Sequence, residues 1–209
     1  MNVEIIRSNR KTLSLMVKSD QKVLIRAPYR TKEEEILRFL AKHKTWIERR
    51  VAELGQVSLD LSDGAKLKLF GNEYRIERGL TALGNNILYL PVHDRMKKLV
   101  ALLKQYSKQV MTSLTEHISQ TTGLCYSQVK ISSARSRWGS CNKTGGLSYS
   151  FRIAFLPLDL IEYIVVHELC HTKHFNHSVR FWKEVEWIIP DYRNKRKTLK
   201  KYGTYMNLL

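Results

Sequence analysis

The sequence predicts an α+β fold in which a β-rich first half leads into a helical second half. Three observations predict it. Several segments before residue 92 alternate apolar and polar residues at the short period of half-buried strands. From about Asp94 the apolar residues recur at helical spacing instead. Further on, His167-Glu168-Leu169-Cys170-His171 follows a mostly apolar run from Leu160 to Val166, the pattern of a helix buried beneath a site. We therefore expect a β-rich N-terminal subdomain over residues 1–92 and a catalytic subdomain over 93–209. No internal repeat or low-complexity linker separates them.

Taken in order, Val3 to Arg7, Thr12 to Lys18 and Lys22 to Arg26 read as strands, and Thr31 to Leu54 reads as one amphipathic helix ending at Gly55. Lys66 to Phe70 and Glu73 to Glu77 flank Gly71-Asn72 as a hairpin, with Asn86 to Leu90 as a third strand. A long helix from Asp94 to Thr122 places Met96, Leu99, Val100, Leu103, Val110, Leu114 and Ile118 on one side, and Gly123 stops it. Ser127 to Ser132 and Gly146 to Ala154 are strand-like and enclose a loop from Arg135 to Gly145. Pro157 and Asp159 mark the start of the next helix, because proline suits a first turn and a carboxylate there complements the helix dipole. After Pro190 a basic helix closes the chain.

On a helix, His167 and His171 project from one face a turn apart, so both imidazoles can reach one metal ion. Glu168 lies about 100° around the axis, within reach of a water at that ion. This is the ligand pair and general base of a zinc hydrolase. His-Glu-x-x-His also arises by chance in non-enzymes; the buried context favours the metal reading. The third ligand follows from reach. His174 stands about 10.5 Å along the axis from His167, too far for both rings to share an ion at ~2.1 Å bonds. His177 is the better candidate, because Phe175-Asn176 precedes it and asparagine accepts a left-handed turn or caps a following helix. His174 is then a supporting or surface residue. Three histidines and a water make the open tetrahedral site of a catalytic zinc, whereas structural sites are closed by four protein ligands.

At 209 residues and 43% hydrophobic, the chain can bury one sizeable core or two small ones. Met1 to Lys11 lacks a charged-then-apolar leader, and no run approaches the ~18 apolar residues that span a bilayer, so a cytoplasmic protein is expected. Cys125, Cys141 and Cys170 are an odd set without metal-type spacing, and Cys170 reads as a small buried residue. The net charge of +17 favours anionic partners. It concentrates in Arg193, Lys195, Arg196, Lys197, Lys200 and Lys201, with a second excess through Arg26, Arg30, Lys42, Lys44, Arg49 and Arg50. Such runs are commonly solvated faces, and nucleic acid or nucleotide binding is the functional alternative.

The spacing of His167, His171 and His177 resembles that of the metzincins, but their glycine is replaced by His174 and no methionine turn follows. Several blocks together resemble the YgjP-like metallopeptidase family, whose relatives include the SprT-like proteases. They are Arg135-Ser136-Arg137-Trp138-Gly139-Ser140-Cys141, Leu156-Pro157, the histidine motif, and Asn176-His177-Ser178-Val179-Arg180-Phe181-Trp182. Arg10 to Leu15 and Ile25 to Pro28 also fit, so the resemblance covers nearly the whole chain. It implies a zincin-like core, Zn2+ held by His167, His171 and His177, and Glu168 as catalytic base; a peptide or protein is the substrate expected of such a site. In zincin-like proteases a strand before the active-site helix offers its edge to the substrate, and Leu147 to Phe151, with Tyr149, fits that role; an ordinary core hairpin is the alternative. Arg135 and Arg137 either pair with carboxylates or stabilise an oxyanion. Trp138 and Trp182 are expected to pack. Ser140 has no histidine-aspartate partnership, which argues against a serine nucleophile.

Zinc also polarises phosphoryl oxygens, so a nucleotide phosphohydrolase is the leading alternative to a metallopeptidase. A nucleic-acid-binding module with a vestigial zinc site is a third reading. Glu168 argues against it, since only catalysis has a use for the base.

Overall fold

The computed structural model describes residues 3–18, 21–55 and 59–209. The chain divides into two compact units, Met1–Ser58 and Leu59–Asn207.

In the first unit, β1 (Val3–Ser8), β2 (Ser14–Val17) and β3 (Val23–Pro28) form a sheet in the order β1-β3-β2. β3 runs parallel to β1 and antiparallel to β2. Two helices come next, α1 (Glu33–Lys42) and α2 (Lys44–Gly55). Ile25 and Ala27 of β3 pack on Ile36, and Val17 and Val23 pack on Ile47. The single helix expected over Thr31 to Leu54 is therefore broken at His43. There a ring nitrogen donates to the Phe39 carbonyl at 2.8 Å, and the His43 N–H turns to Leu40 O at 3.1 Å. The side chain has taken the acceptor that a continuing α-helix would use.

The second unit opens with β4 (Lys66–Leu69), β5 (Asn72–Arg78), β6 (Ala82–Gly84) and β7 (Ile87–Leu90), in the order β4-β5-β7-β6. β4 and β5 are the expected hairpin, turning through Phe70 and Gly71 at φ of 51° and 82°. α3 (Arg95–Thr122) is the long helix, and Gly123 ends it at φ of 72°. The boundary expected between residues 92 and 93 falls inside this unit, because the four-stranded sheet and its approach are bonded to residues beyond that point. Phe70 N–H donates to Ala154 O at 2.6 Å, the Tyr106 hydroxyl donates to Leu83 O at 2.8 Å, and Arg95 pairs with Asp63.

A further sheet holds β8 (Gln128–Ser132), β9 (Gly139–Cys141) and β10 (Gly146–Ser150), in the order β8-β10-β9. The strand expected through Ala154 stops at Ser150. Its hydroxyl accepts from Arg152 N–H at 3.4 Å and donates to Ala134 O at 2.8 Å, and Phe151–Phe155 coils into a 3-10 turn. β10 is central, with Leu147 opposite Val129 on one side and Cys141 on the other. Both its edges are occupied, so it cannot take up an extended substrate as expected. Among the described residues, β9 is the free edge of this sheet on the side of the histidine motif. Helices α4 (Leu158–Lys173), α5 (Val179–Ile188) and α6 (Tyr192–Lys201) complete an α+β fold. No helix among the described residues is long and apolar enough to cross a membrane.

Candidate active site

α4 carries the motif. It begins after Pro157 with Asp159 in its first turn, and Lys195 of α6 pairs with that carboxylate. Leu160, Ile161, Val165 and Val166 are sealed in the core, which anchors the helix from below. His167 and His171 then lie a turn apart, with ring centroids 4.9 Å apart and planes at 85°.

The helix ends at Lys173, and His174 adopts an extended conformation that releases the chain from helical spacing. His177 returns to the pair, its Nε2 3.1 Å from Nε2 of His167 and its ring centred 4.7 Å from that of His171. The return uses neither a left-handed Asn176 nor an Asn176 cap. Ser178 caps α5 instead, its hydroxyl accepting from Phe181 N–H at 3.4 Å.

One potential ligand atom from each of His167, His171 and His177 lies within 4.8 Å of the others. Three tetrahedral nitrogens with ~2.05 Å bonds stand roughly 3.3 Å apart, close to the separation of His167 and His177. His171 Nδ1 lies 2.9 Å from the carbonyl oxygen of His174. A carbonyl only accepts, so Nδ1 carries the proton and Nε2 presents its lone pair to the centre. Burial lowers the pKa of His167 to about 3, helped by His171 and His177, and burial also lowers that of His177. Both are held in the neutral form that binds metal. The donor set therefore fits a divalent cation. His174 contributes its main-chain oxygen, while its side chain contacts Glu184 at 3.2 Å, beside Lys173.

Phe181 braces the triad. It is fully buried, stacks on His171 at 4.5 Å, and meets His167 and His177 edge-on at 5.0 Å and 4.8 Å. Trp182 packs as expected, stacked on His177 at 5.4 Å, and Tyr192 stacks on Trp182 at 5.3 Å. Phe181→Ala should cost about 3–5 kcal/mol, since it removes a large, fully buried ring. Chemical denaturation of apoprotein measures this directly, and a loss below about 1 kcal/mol would show that the cluster collapses around the gap.

Glu168 is buried against β9. A methyl group on Gly139 would lie 2.7 Å from Glu168 Cγ and 2.8 Å from Oε1, so the absent side chain leaves the room the carboxylate fills. Burial pushes the Glu168 pKa up to about 7, with Arg137 opposing part of the rise. A carboxyl held there can both take and release a proton near neutrality. Gly139→Ala should displace this group without touching the histidines. We expect a drop in turnover of about 100-fold with metal content unchanged. Unaltered turnover would mean that the carboxylate position is not critical.

The other expected contacts divide. Arg137 lines the pocket beside Glu168, together with Trp138 and Gly139. Arg135 is outside that lining. Its charge acts on buried Arg152, whose pKa is lowered to about 10 by burial and then by Arg135. Arg152 in turn donates to Ser133 O at 3.0 Å and packs over the Phe151 ring at 4.5 Å. Tyr149 is no substrate contact. It is wholly buried, with its hydroxyl 3.5 Å from Thr115 Oγ1, and burial raises its pKa above the ordinary range. Cys170 is buried as expected, and burial together with the Glu168 charge raises the Cys141 thiol pKa. Tyr163 and Leu199, which sequence reasoning passed over, line the pocket. Tyr163 was detectable, because it precedes His167 by four residues and so shares its helical face. Leu199 sits inside a basic run and gives no such signal.

Residues 11–202 match the protein family described as YgjP-like, metallopeptidase domain. Among solved structures, the zymogen of the Pyrococcus abyssi metallopeptidase abylysin is similar over 43% of this chain and 90% of its own, with 25% identity and a TM-score of 0.40. The zymogen of the Methanocaldococcus jannaschii metallopeptidase jannalysin is similar over 44% of this chain and 94% of its own, with 19% identity and a TM-score of 0.40. No curated protein matches the sequence significantly.

Proposed function

Because this chain belongs to the YgjP-like metallopeptidase family, we propose that it hydrolyses peptide bonds with a zinc ion held by His167, His171 and His177 and with Glu168 as general base. The observation that carries this reading is the convergence of three imidazole nitrogens next to a buried carboxylate, whose pKa burial pushes up. Zinc held there would supply Lewis acidity to a carbonyl and to a water.

The chain supplies the rest. His171 is held in register by its bond to the His174 carbonyl, and Phe181 fixes the tilt of all three rings. Glu168 takes the proton of the attacking water and then delivers it to the leaving amine nitrogen, so the carboxylate is regenerated each cycle. Arg137 at the pocket keeps some positive charge beside the carboxylate and limits how far burial can neutralise it. The free edge of β9, next to Glu168, is the strand available to align an extended peptide.

A nucleotide or nucleic-acid substrate has no specific support. Within the C-terminal cluster, Arg193 pairs with Glu186 at 3.1 Å, Lys195 pairs with Asp159, and Arg196 lies over Trp182 at 4.8 Å. Half of those cations are thus engaged within the chain. The deciding experiment incubates zinc-loaded protein with casein and, separately, with a panel of nucleoside triphosphates. Peptide fragments are expected from casein, and they should disappear on chelation. Phosphate release without any fragments would select the phosphohydrolase instead.

A further inference from the structure

A pocket of about 210 Å³ opens directly beside the proposed catalytic carboxylate. Trp138, Tyr163, Ile164 and Leu199 line it, with Arg137 as the cation of its lining. His167 and Glu168 also line it, and Glu168 is the sole acidic residue among those lining it. Arg196 of the same helix as Leu199 lies over the Trp182 ring, 4.8 Å from its centroid.

We infer that this pocket selects substrates by receiving an apolar side chain next to the scissile bond, and that Leu199 is its specificity-determining wall. The inference rests on the metal-centre reading above. A carbonyl placed between Glu168 and the histidines has this cavity as its immediate neighbour, so an adjacent substrate side chain enters it. Apolar walls reward burial of a leucine- or phenylalanine-like group. A lysine or arginine side chain would leave water for a space that already contains Arg137 and offers no carboxylate except the base, which chemistry requires to be free. Trp138 and Gly139 flank the carboxylate and Tyr163 and Ile164 belong to the motif helix, whereas Leu199 comes from α6. It can therefore vary without displacing ligand or base.

The test is calorimetric titration of zinc-loaded protein with leucine hydroxamate and lysine hydroxamate, small chelators that anchor at a metal and present one side chain to its surroundings. Leucine hydroxamate is expected to bind about tenfold or more tightly than lysine hydroxamate, the discrimination typical of an apolar pocket. In Leu199→Glu that ratio should fall by about tenfold, because the new carboxylate can pair with the lysine ammonium. Equal affinities in the parent protein overturn the inference whatever the variant does, and so does an unchanged ratio in a variant whose melting temperature shows it folded. The readout is independent of turnover. Selective leucine hydroxamate binding without casein cleavage would sustain the pocket and remove the peptidase reading, while cleavage with equal affinities would do the reverse.

Discussion

His177→Ala should abolish tight zinc binding, and His174→Ala should not. His177 supplies one of three converging imidazoles from a separate element, and neither His174 nor Glu184 is placed to replace it. Removing it leaves two ligands on one helix, so zinc content after dialysis should fall from about one per chain toward zero. His174 acts on the centre through its main-chain oxygen, which alanine keeps, and its side chain contributes a contact with Glu184 worth roughly 1 kcal/mol or less. Zinc affinity in His174→Ala should stay within about tenfold of the parent, at the low end of what outer partners contribute. Elemental analysis of the two variants decides between them, and loss of zinc in His174→Ala with retention in His177→Ala would reverse the ligand assignment.

Glu168→Gln should separate binding from chemistry. The amide keeps the size that Gly139 accommodates and keeps a hydrogen-bonding edge, but it cannot accept a proton. Zinc content should match the parent, and kcat should fall by about 100-fold to 10,000-fold, the usual contribution of a positioned base. Chain stability of the apoprotein should not fall, because a buried carboxyl held near neutrality already bears a desolvation cost that the amide avoids. Turnover within a few-fold of the parent would show that some other group moves the proton.

The convergence of the three histidines was legible because their geometry is local. His167 and His171 are placed by helical pitch, and excluding His174 by axial distance leaves His177 as the next histidine along. How the chain turns was less legible. Asn176 is a good turn residue by type, yet the serine after His177 does the capping, since a hydroxyl there reaches the Phe181 N–H. Strand order was not legible at all. The likeness to zincin-like proteases gave β10 the edge, but the short β9 inside the Arg135 to Gly145 loop pairs with it and takes that edge. Three residues with two small side chains carry too little pattern to announce a strand. The break at His43 escaped for a related reason, because amphipathic spacing continues through it and the interruption comes from one side-chain hydrogen bond. The pocket wall at Leu199 depends on α6 lying against α4, a long-range contact that no window of sequence contains.

Titration of the metal-free protein with zinc, monitoring cleavage of a fluorogenic peptide at each addition, tests the central claim most directly. Peptide turnover should rise in proportion to added zinc and break at one equivalent, the stoichiometry of a single three-histidine centre. Turnover that is already complete without metal, or zinc binding at one equivalent with no peptide cleaved under any condition, would contradict it.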